Sequence, residues 1–495
     1  MKTEQLLSLL KIKKVYGELP DTVDDITIDS REAHKTSIFV AMQGLHVDGF
    51  DFIDDALKKG CQFILSDRVR ELPKGVGLLK VKDPEKVSAL FSEYIFDFPH
   101  ESMTMIGVTG TNGKTTVSSM IHNLSLALGK ETAYLGTNGF MLSEEHYTSA
   151  NTTPETTRLH KRLKDAEDRK MDVFTMEVSS HALKLGRTFG ISFDITIFTN
   201  LSQDHLDFHR NMEEYGFTKG LLFSQLGQDL RQHRYVVLND DDPWSEDYQT
   251  MTPYEVITYG STDRADFYAT DIKGTLESTE FTLNTPEGAF YIHSPYVGEY
   301  NILNLMCAII SEWLQGYEMK EILEAIEDMQ PISGRLEVLD KTLPIDLIID
   351  FAHSPDALEK ILETVLPFKK GKLILLVGMT GERDYSKAEA MGRIASLADY
   401  VFITVDNPGN DDKQMLIDLL EKGMTHHNYE TFIDREEAIK RMVLFADEGD
   451  TLLLVGKGRE PYQIMEGHVK VPHRDDLIVL DAAYRKYKSD EYEEI

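Results

Sequence analysis

A lysine set among glycines and hydroxyls, Gly110-Thr111-Asn112-Gly113-Lys114-Thr115-Thr116, is the stretch of this chain best equipped for chemistry. Glycines let backbone N–H groups converge on one point, a helix N-terminus adds partial positive charge there, and Lys114 adds a whole one. The object that fits is a polyphosphate. The first glycine lies three residues before Gly113, closer than in the common phosphate-loop pattern. A plain turn would account for the glycines, but not for Gly-Lys-Thr-Thr at the start of a helix. Downstream, Glu177 alone reads as an ion-paired carboxylate and His205 as a hydrogen-bonded loop histidine. Behind a glycine loop, the two with a phosphate oxygen could converge on Mg²⁺, which prefers oxygen ligands and keeps part of its hydration. Lys219 reads as a solvated helix cation, because an ammonium is donor-only and cannot ligate a metal. Arg383, Asp406 and Glu460 offer one cation and two carboxylates, a set suited to a zwitterionic amino acid with a further amine. Taken singly, each reads as a solvated rim charge.

These residues need elements to carry them. Met105, Ile106 and Val108 predict a strand before the glycine loop, and Val117, Met120, Ile121, Leu124 and Leu128 predict a helix after it. Val173–Met176 runs into Glu177-Val178-Ser179-Ser180-His181, and Ile195–Thr199 runs into Asn200 through Asp207. Ligands of open α/β sheets sit at such strand carboxyl ends. Beyond residue 333 the rhythm repeats. Strand-like Asp346–Ile349 leads into Asp350-Phe351-Ala352-His353 and a helix capped by Ser354, and three more strands end at Gly378–Asp384, Asp406–Gly409 and Gly456–Pro461. Near the start, Ile26 and Ile28 alternate as in a strand, and Asp29-Ser30-Arg31 forms its polar end. That end could hold a diphosphate or a sugar, although a surface turn is the plainer reading.

With 495 residues the chain is long for one domain, and 41% hydrophobic with 27% charged residues is the composition of a soluble globular protein. A formal charge of −32 argues against general binding to nucleic acid or anionic membranes. Two cysteines, Cys61 and Cys307, are too few for a disulfide framework, so a cytoplasmic location is expected. No apolar run approaches a membrane span, and no signal peptide is expected.

In this order, Gly110–Thr116, Asn151-Thr152-Thr153-Pro154, Glu177–His181, Asn200–His205, Gly334-Arg335-Leu336-Glu337, Asp350–His353 and Asp406-Asn407-Pro408 resemble the Mur ligases of peptidoglycan synthesis. Gly456–Gln463 and Pro472–Asp476 extend the resemblance over nearly the whole chain. It implies an α/β protein of three domains: a uridine-nucleotide domain (1–100), a central phosphate-loop ATPase with a mainly parallel sheet (101–332), and a Rossmann-like domain for the incoming amino acid (333–495). The implied reaction is ATP-dependent addition of the third amino acid to UDP-MurNAc-L-Ala-D-Glu, by a monomer. Carried over by motif, Ser30, Leu45, His46 and Val47 would contact the UDP-sugar, and Thr152, Thr153, Ser179 and Arg187 the peptide. Gly110 to Thr116, Asn301, Arg335, Asp350 and His353 would surround ATP, while Thr115, Glu177 and His205 would hold Mg²⁺. Lys219 matches the lysine that this family carboxylates, and a carbamate would turn a donor-only cation into a two-oxygen anion able to position the metal.

Family members that take meso-diaminopimelate carry Asp-Asn-Pro-Arg, whereas here Gly409 follows Asp406-Asn407-Pro408. Losing that arginine removes the bidentate partner of a second carboxylate. The expected substrate is therefore L-lysine, with Arg383 on its α-carboxylate and Asp406 and Glu460 for its ammonium. L-Ornithine and meso-diaminopimelate are the alternatives within the family, and a folylpolyglutamate-synthetase-like ligase the alternative outside it.

Overall fold

In the computed structural model, which describes residues 1–44, 47–148 and 151–488, the run before the glycine loop forms the strand Thr104–Thr109, buried beyond its first residue. It lies inside an eleven-stranded sheet, between Val173–Glu177 and Ile195–Phe198, and runs parallel to both. The three carboxyl ends therefore open on one edge, which brings the glycine loop, Glu177 and the loop carrying His205 together. Antiparallel strands extend the sheet on both flanks: Gly139–Leu142 and Glu145–Tyr147 on one, Thr279–Thr285 and Gly288–Ser294 on the other.

The helix Lys114–Ala127 begins directly after Gly113, whose φ of 85° is one that side chains other than glycine's rarely adopt. Its Val117, Met120, Ile121 and Leu124 are fully buried, in one cluster with Leu305, Met306, Ile309 and Ile310 of the helix Glu299–Leu314. This packing fixes where the helix N-terminus, and hence Lys114, points.

Residues before the central sheet form a five-stranded sheet, parallel except for Lys14–Gly17, which runs against Gly77–Lys80. Its strand Asp25–Thr27 ends beside Asp29 and Ser30. After the central sheet comes a six-stranded one, parallel from Asp346–Ile349 through Thr451–Leu454, Leu373–Met379 and Tyr400–Val405 to Tyr429–Thr431. The helix Pro355–Val365 is capped by Ser354, whose hydroxyl accepts the Ala357 N–H at 3.4 Å, and it buries Leu358, Ile361, Leu362 and Val365. Among the described residues no helix is long and apolar enough to cross a membrane.

One polar knot ties the loops of this last sheet together. Arg435 is buried and donates to Asp406 at 2.6 Å, to Asp475 at 2.6 Å and to the Val455 carbonyl at 2.8 Å. Removing one partner of such a group strands the others without solvent or counter-charge. Arg435→Met should therefore lower unfolding free energy by about 3–5 kcal/mol, measured by urea titration. A loss below about 1 kcal/mol would mean that Asp406 and Asp475 find other partners.

Candidate active site

A single cleft of about 2040 Å³ is lined from all three sheets: by Ser30 from the first, by Lys114, Glu177 and Lys219 from the second, and by Arg335 and Arg383 from the third. Nearly every residue singled out from the sequence lines it as well. Gly110 and Pro408 do not, and Leu45 and His46 lie outside the described residues.

At the centre, Lys114 Nζ donates to the Gly110 and Thr111 carbonyls, each at 2.9 Å, and Lys219 Nζ donates to the same Gly110 carbonyl at 2.7 Å. Lys219 is not the solvated cation expected: it is buried in the helix Met212–Ser224, with its ammonium 4.5 Å from the centre of the Tyr215 ring. Burial, with Lys114 adding repulsion, holds its ammonium well below lysine's usual range. Burial lowers Lys114 too, against the pull of Glu177 and Asp204. The site is thus short of negative charge at the point where a polyphosphate would lie.

Glu177 ends its strand buried, accepting from Thr115 Oγ1 at 3.0 Å, Tyr134 Oη at 2.8 Å and the Thr137 N–H at 2.7 Å. A hydroxyl at the helix start paired with a carboxylate is a hard-oxygen donor set of the kind Mg²⁺ takes together with substrate phosphates. Among the described residues no three His, Cys, Asp or Glu side chains cluster as a complete cage. Burial, reinforced by His181 and the two lysines, keeps His205 neutral against the opposing pull of Asp204, and a neutral imidazole is the ligating form.

Toward the first sheet, Thr153 Oγ1 donates to the Glu177 carbonyl at 2.8 Å, Arg187 donates to the Thr153 carbonyl at 2.8 Å, and Thr152 meets Thr137 at 3.0 Å. Ser179 caps the helix Ser180–Lys184. Ser30 is buried at the cleft wall and Val47 is exposed there. Asp29 and Arg31 pair with each other at 2.7 Å, and Asp29 also receives Arg158 at 2.8 Å, so this turn docks the first sheet onto the second.

Toward the third sheet, Asn301 donates to the Val297 carbonyl at 2.8 Å, and the Arg335 guanidinium lies 4.7 Å from the centre of the Phe351 ring. Asp350 accepts the Leu336 and Ala352 N–H groups at 2.7 and 2.6 Å, which fixes the segment carrying Arg335. The amino-acid rim differs from expectation. Asp406 and Glu460 are not free carboxylates: Asp406 is bound by Arg435, and Glu460 by Lys457 and, at 3.1 Å, by Asn407. With Asp475, which also pairs with His473 at 2.7 Å, they form a buried polar network around Arg435 and Lys457. Gly409 takes φ 59°, and a Cβ added there would run into Glu382 Oε2. An arginine at 409 would be strained, not simply accommodated.

Three family profiles match along the chain: "Mur ligase family, catalytic domain" over 22–90, "Mur ligase middle domain" over 108–311 and "Mur ligase, glutamate ligase domain" over 334–458. The chain belongs to the Mur ligase family. It is 52% identical over 487 residues to the UDP-N-acetylmuramoyl-L-alanyl-D-glutamate--L-lysine ligase of Staphylococcus epidermidis, covering 98% of this chain and 99% of that one. The protein of the same name from Staphylococcus aureus is 50% identical over the same coverage. A solved UDP-N-acetylmuramoyl-L-alanyl-D-glutamate--2,6-diaminopimelate ligase superposes with a TM-score of 0.65 at 27% identity, over 94% of this chain and 95% of that one.

In this Mur ligase the third sheet docks on the phosphate loop and the Asn200–His205 segment through Asp356, Ser386 and Lys387, which carried no signal in the sequence. Asn112 Nδ2 donates to Asp356 at 2.8 Å, Gln203 donates to Ser386 at 3.1 Å, and Lys387 pairs with Asp204 at 3.5 Å. Only contacts between distant segments reveal them, and no local motif does. Lys114→Ala should lower phosphate release by about 100-fold or more, the scale for losing a charge-stabilising donor in a dry site. Near-normal turnover would contradict the placement of a triphosphate at the glycine loop.

Proposed function

We propose that this Mur ligase joins L-lysine to the side-chain carboxylate of D-Glu in UDP-MurNAc-L-Ala-D-Glu, driven by ATP. The observation that carries the proposal is the single cleft lined by Ser30, Lys114, Lys219 and Arg383, one or more from each sheet. The first unit is assigned the uridine nucleotide, the second ATP, and the third the amino acid. Thr152, Thr153, Ser179 and Arg187 lie between the first two and are assigned the peptide.

A carboxylate is a poor electrophile, so its oxygen first attacks the γ-phosphorus of ATP, giving an acyl phosphate and ADP. The amine of L-lysine then attacks the activated carbonyl, the amide forms and inorganic phosphate leaves. Lys114 and the loop N–H groups neutralise the phosphates, and the interlocked loops hold the amine against the acyl group, which makes the step nearly unimolecular. Thr115, Glu177 and His205 are the proposed Mg²⁺ ligands, and bound Mg²⁺ supplies further charge neutralisation.

Lys219 is proposed as a carbamate. Two ammonium groups on the Gly110 carbonyl repel each other, and burial favours a neutral amine at Lys219. A neutral amine adds to CO₂ with loss of a proton, replacing one of the two cations by an anion. L-Lysine is favoured over an amino acid with a second carboxylate because Gly409 offers no cation to such a group, and the relatives 50–52% identical to this chain are L-lysine ligases. ATP and a UDP-linked substrate make the cytoplasm the proposed location.

Phosphate release with UDP-MurNAc-dipeptide and each of L-lysine, L-ornithine and meso-diaminopimelate tests the reading. Release with L-lysine is expected, and release only with diaminopimelate would overturn it. Lys219→Ala should be nearly inactive and partly rescued by a small carboxylic acid. Full activity of the variant without rescue would exclude a carbamate role.

A further inference from the structure

With Asp406 and Glu460 already paired, the rim is left with a different carboxylate at the point where the lysine-type and diaminopimelate-type motifs diverge. Glu382 follows the strand Leu373–Met379 and lines the cleft next to Arg383. Its backbone takes φ 56° although it is not glycine, a conformation kept only where the surroundings impose it. The surroundings do so here. The Glu382 N–H donates to Asp411 Oδ2 at 2.6 Å, and Asp411 also accepts the Tyr385 hydroxyl. At the other end Glu382 Oε1 accepts from Asn410 Nδ2 at 3.0 Å, and Oε2 lies 3.5 Å from His468 Nδ1, on a turn where His468 itself has φ 57°. Three loops thus hold the carboxylate over Gly409, in the space a side chain at 409 would need.

The charges around it differ from those around its neighbours. Arg435 serves Asp406 and Lys457 serves Glu460, but among the described residues no lysine or arginine comes within ion-pair distance of Glu382. Asp384, two residues on, spends one oxygen on the Ser386 N–H at 2.9 Å and on the Ser386 hydroxyl, and its other oxygen is buried without a hydrogen-bond partner among the described residues. Glu382 is therefore a rim carboxylate with no lysine or arginine of its own, and it is the one held against Gly409.

We propose that Glu382 is a specificity-determining residue of the amino-acid pocket, accepting the side-chain ammonium of the incoming amino acid and repelling a second carboxylate. The proposal rests on the L-lysine reading given above. Glycine at 409 has two consequences: it removes the site of the arginine that would hold a second carboxylate, and it makes room for a carboxylate of the protein. A diacid amino acid would then face like charge where lysine finds opposite charge, so one residue both attracts the right substrate and excludes the wrong one. Arg383, one residue on, is left to the α-carboxylate.

The test is steady-state phosphate release by wild type, Glu382→Gln and Glu382→Asp, with L-lysine and meso-diaminopimelate as alternative acceptors. In Glu382→Gln, KM for L-lysine should rise about tenfold or more, the scale for losing a charge-assisted hydrogen bond, with KM for ATP unchanged. The preference for lysine over diaminopimelate should shrink by a similar factor, and Glu382→Asp should keep most of it. A Gln variant with the wild-type lysine KM and the wild-type preference would overturn the proposal while leaving the L-lysine reading intact. Equal changes in Gln and Asp variants, or a parallel rise in KM for ATP, would also overturn it, by marking Glu382 as a loop support. Wild-type enzyme inactive with L-lysine would instead sink the reading underneath.

Discussion

The carbonyl of Gly110 accepts two lysine side chains, and the rest of the site follows from that shared bond. Two ammonium groups on one oxygen in a poorly solvated pocket repel each other strongly, since Coulomb energy grows as the surrounding dielectric falls. Asp204, the carboxylate that opposes this charge, is itself divided among His205, Lys387 and His353, which hold it ionised despite its burial. Positive groups thus gather at this carbonyl against Glu177 and Asp204, and burial answers their repulsion by favouring a neutral amine at Lys219. A polyphosphate at the helix N-terminus relieves that repulsion, and so does conversion of Lys219 to an anion.

Placing these charges correctly takes three sheets. The central helix is fixed by its apolar face, and the loops at the parallel strand ends must all open on one edge for Glu177 and His205 to reach the same point. The outer sheets are joined to the centre by polar contacts such as Asp29 with Arg158 and Asn112 with Asp356, and the third also by Val297 and Tyr300, which pack against its apolar core. Polar seams of this kind can open and reform, whereas apolar cores cannot. The molecule thus combines apolar cores within each unit with joints that are largely polar, the kind of seam that suits an enzyme that must admit two large nucleotides and then hold a free amine.

Much of this was legible in the chain. The strand before the glycine loop, the helix after it, the Ser354 cap and the strand Asp346–Ile349 follow from local pattern, because one face of each is buried and one end is marked. Lys219 taken by residue type alone reads as solvated, and only the family resemblance marked it, because the helix Met212–Ser224 is apolar around most of its surface. Gly216 and Gly220 let Trp244 and Met251 approach closely, and no polar face remains for periodicity to detect. Asp406 and Glu460 were named as rim residues, but their partners Arg435 and Lys457 change their role, and the pairing of Asp406 with Arg435 crosses 29 residues. Glu382 lay in plain view beside Arg383, yet its meaning depends on a left-handed backbone and on the space left by Gly409, neither of which a linear pattern contains.

The central claim is that the cleft brings the γ-phosphate of ATP into direct contact with the acceptor carboxylate, so that oxygen passes from one to the other. The most direct measurement is isotope transfer, using UDP-MurNAc-dipeptide labelled with ¹⁸O in the D-Glu side-chain carboxylate and analysing the released phosphate by mass spectrometry. The account predicts one ¹⁸O atom in each inorganic phosphate formed with the amide bond. Unlabelled phosphate, or pyrophosphate released in its place, would contradict it.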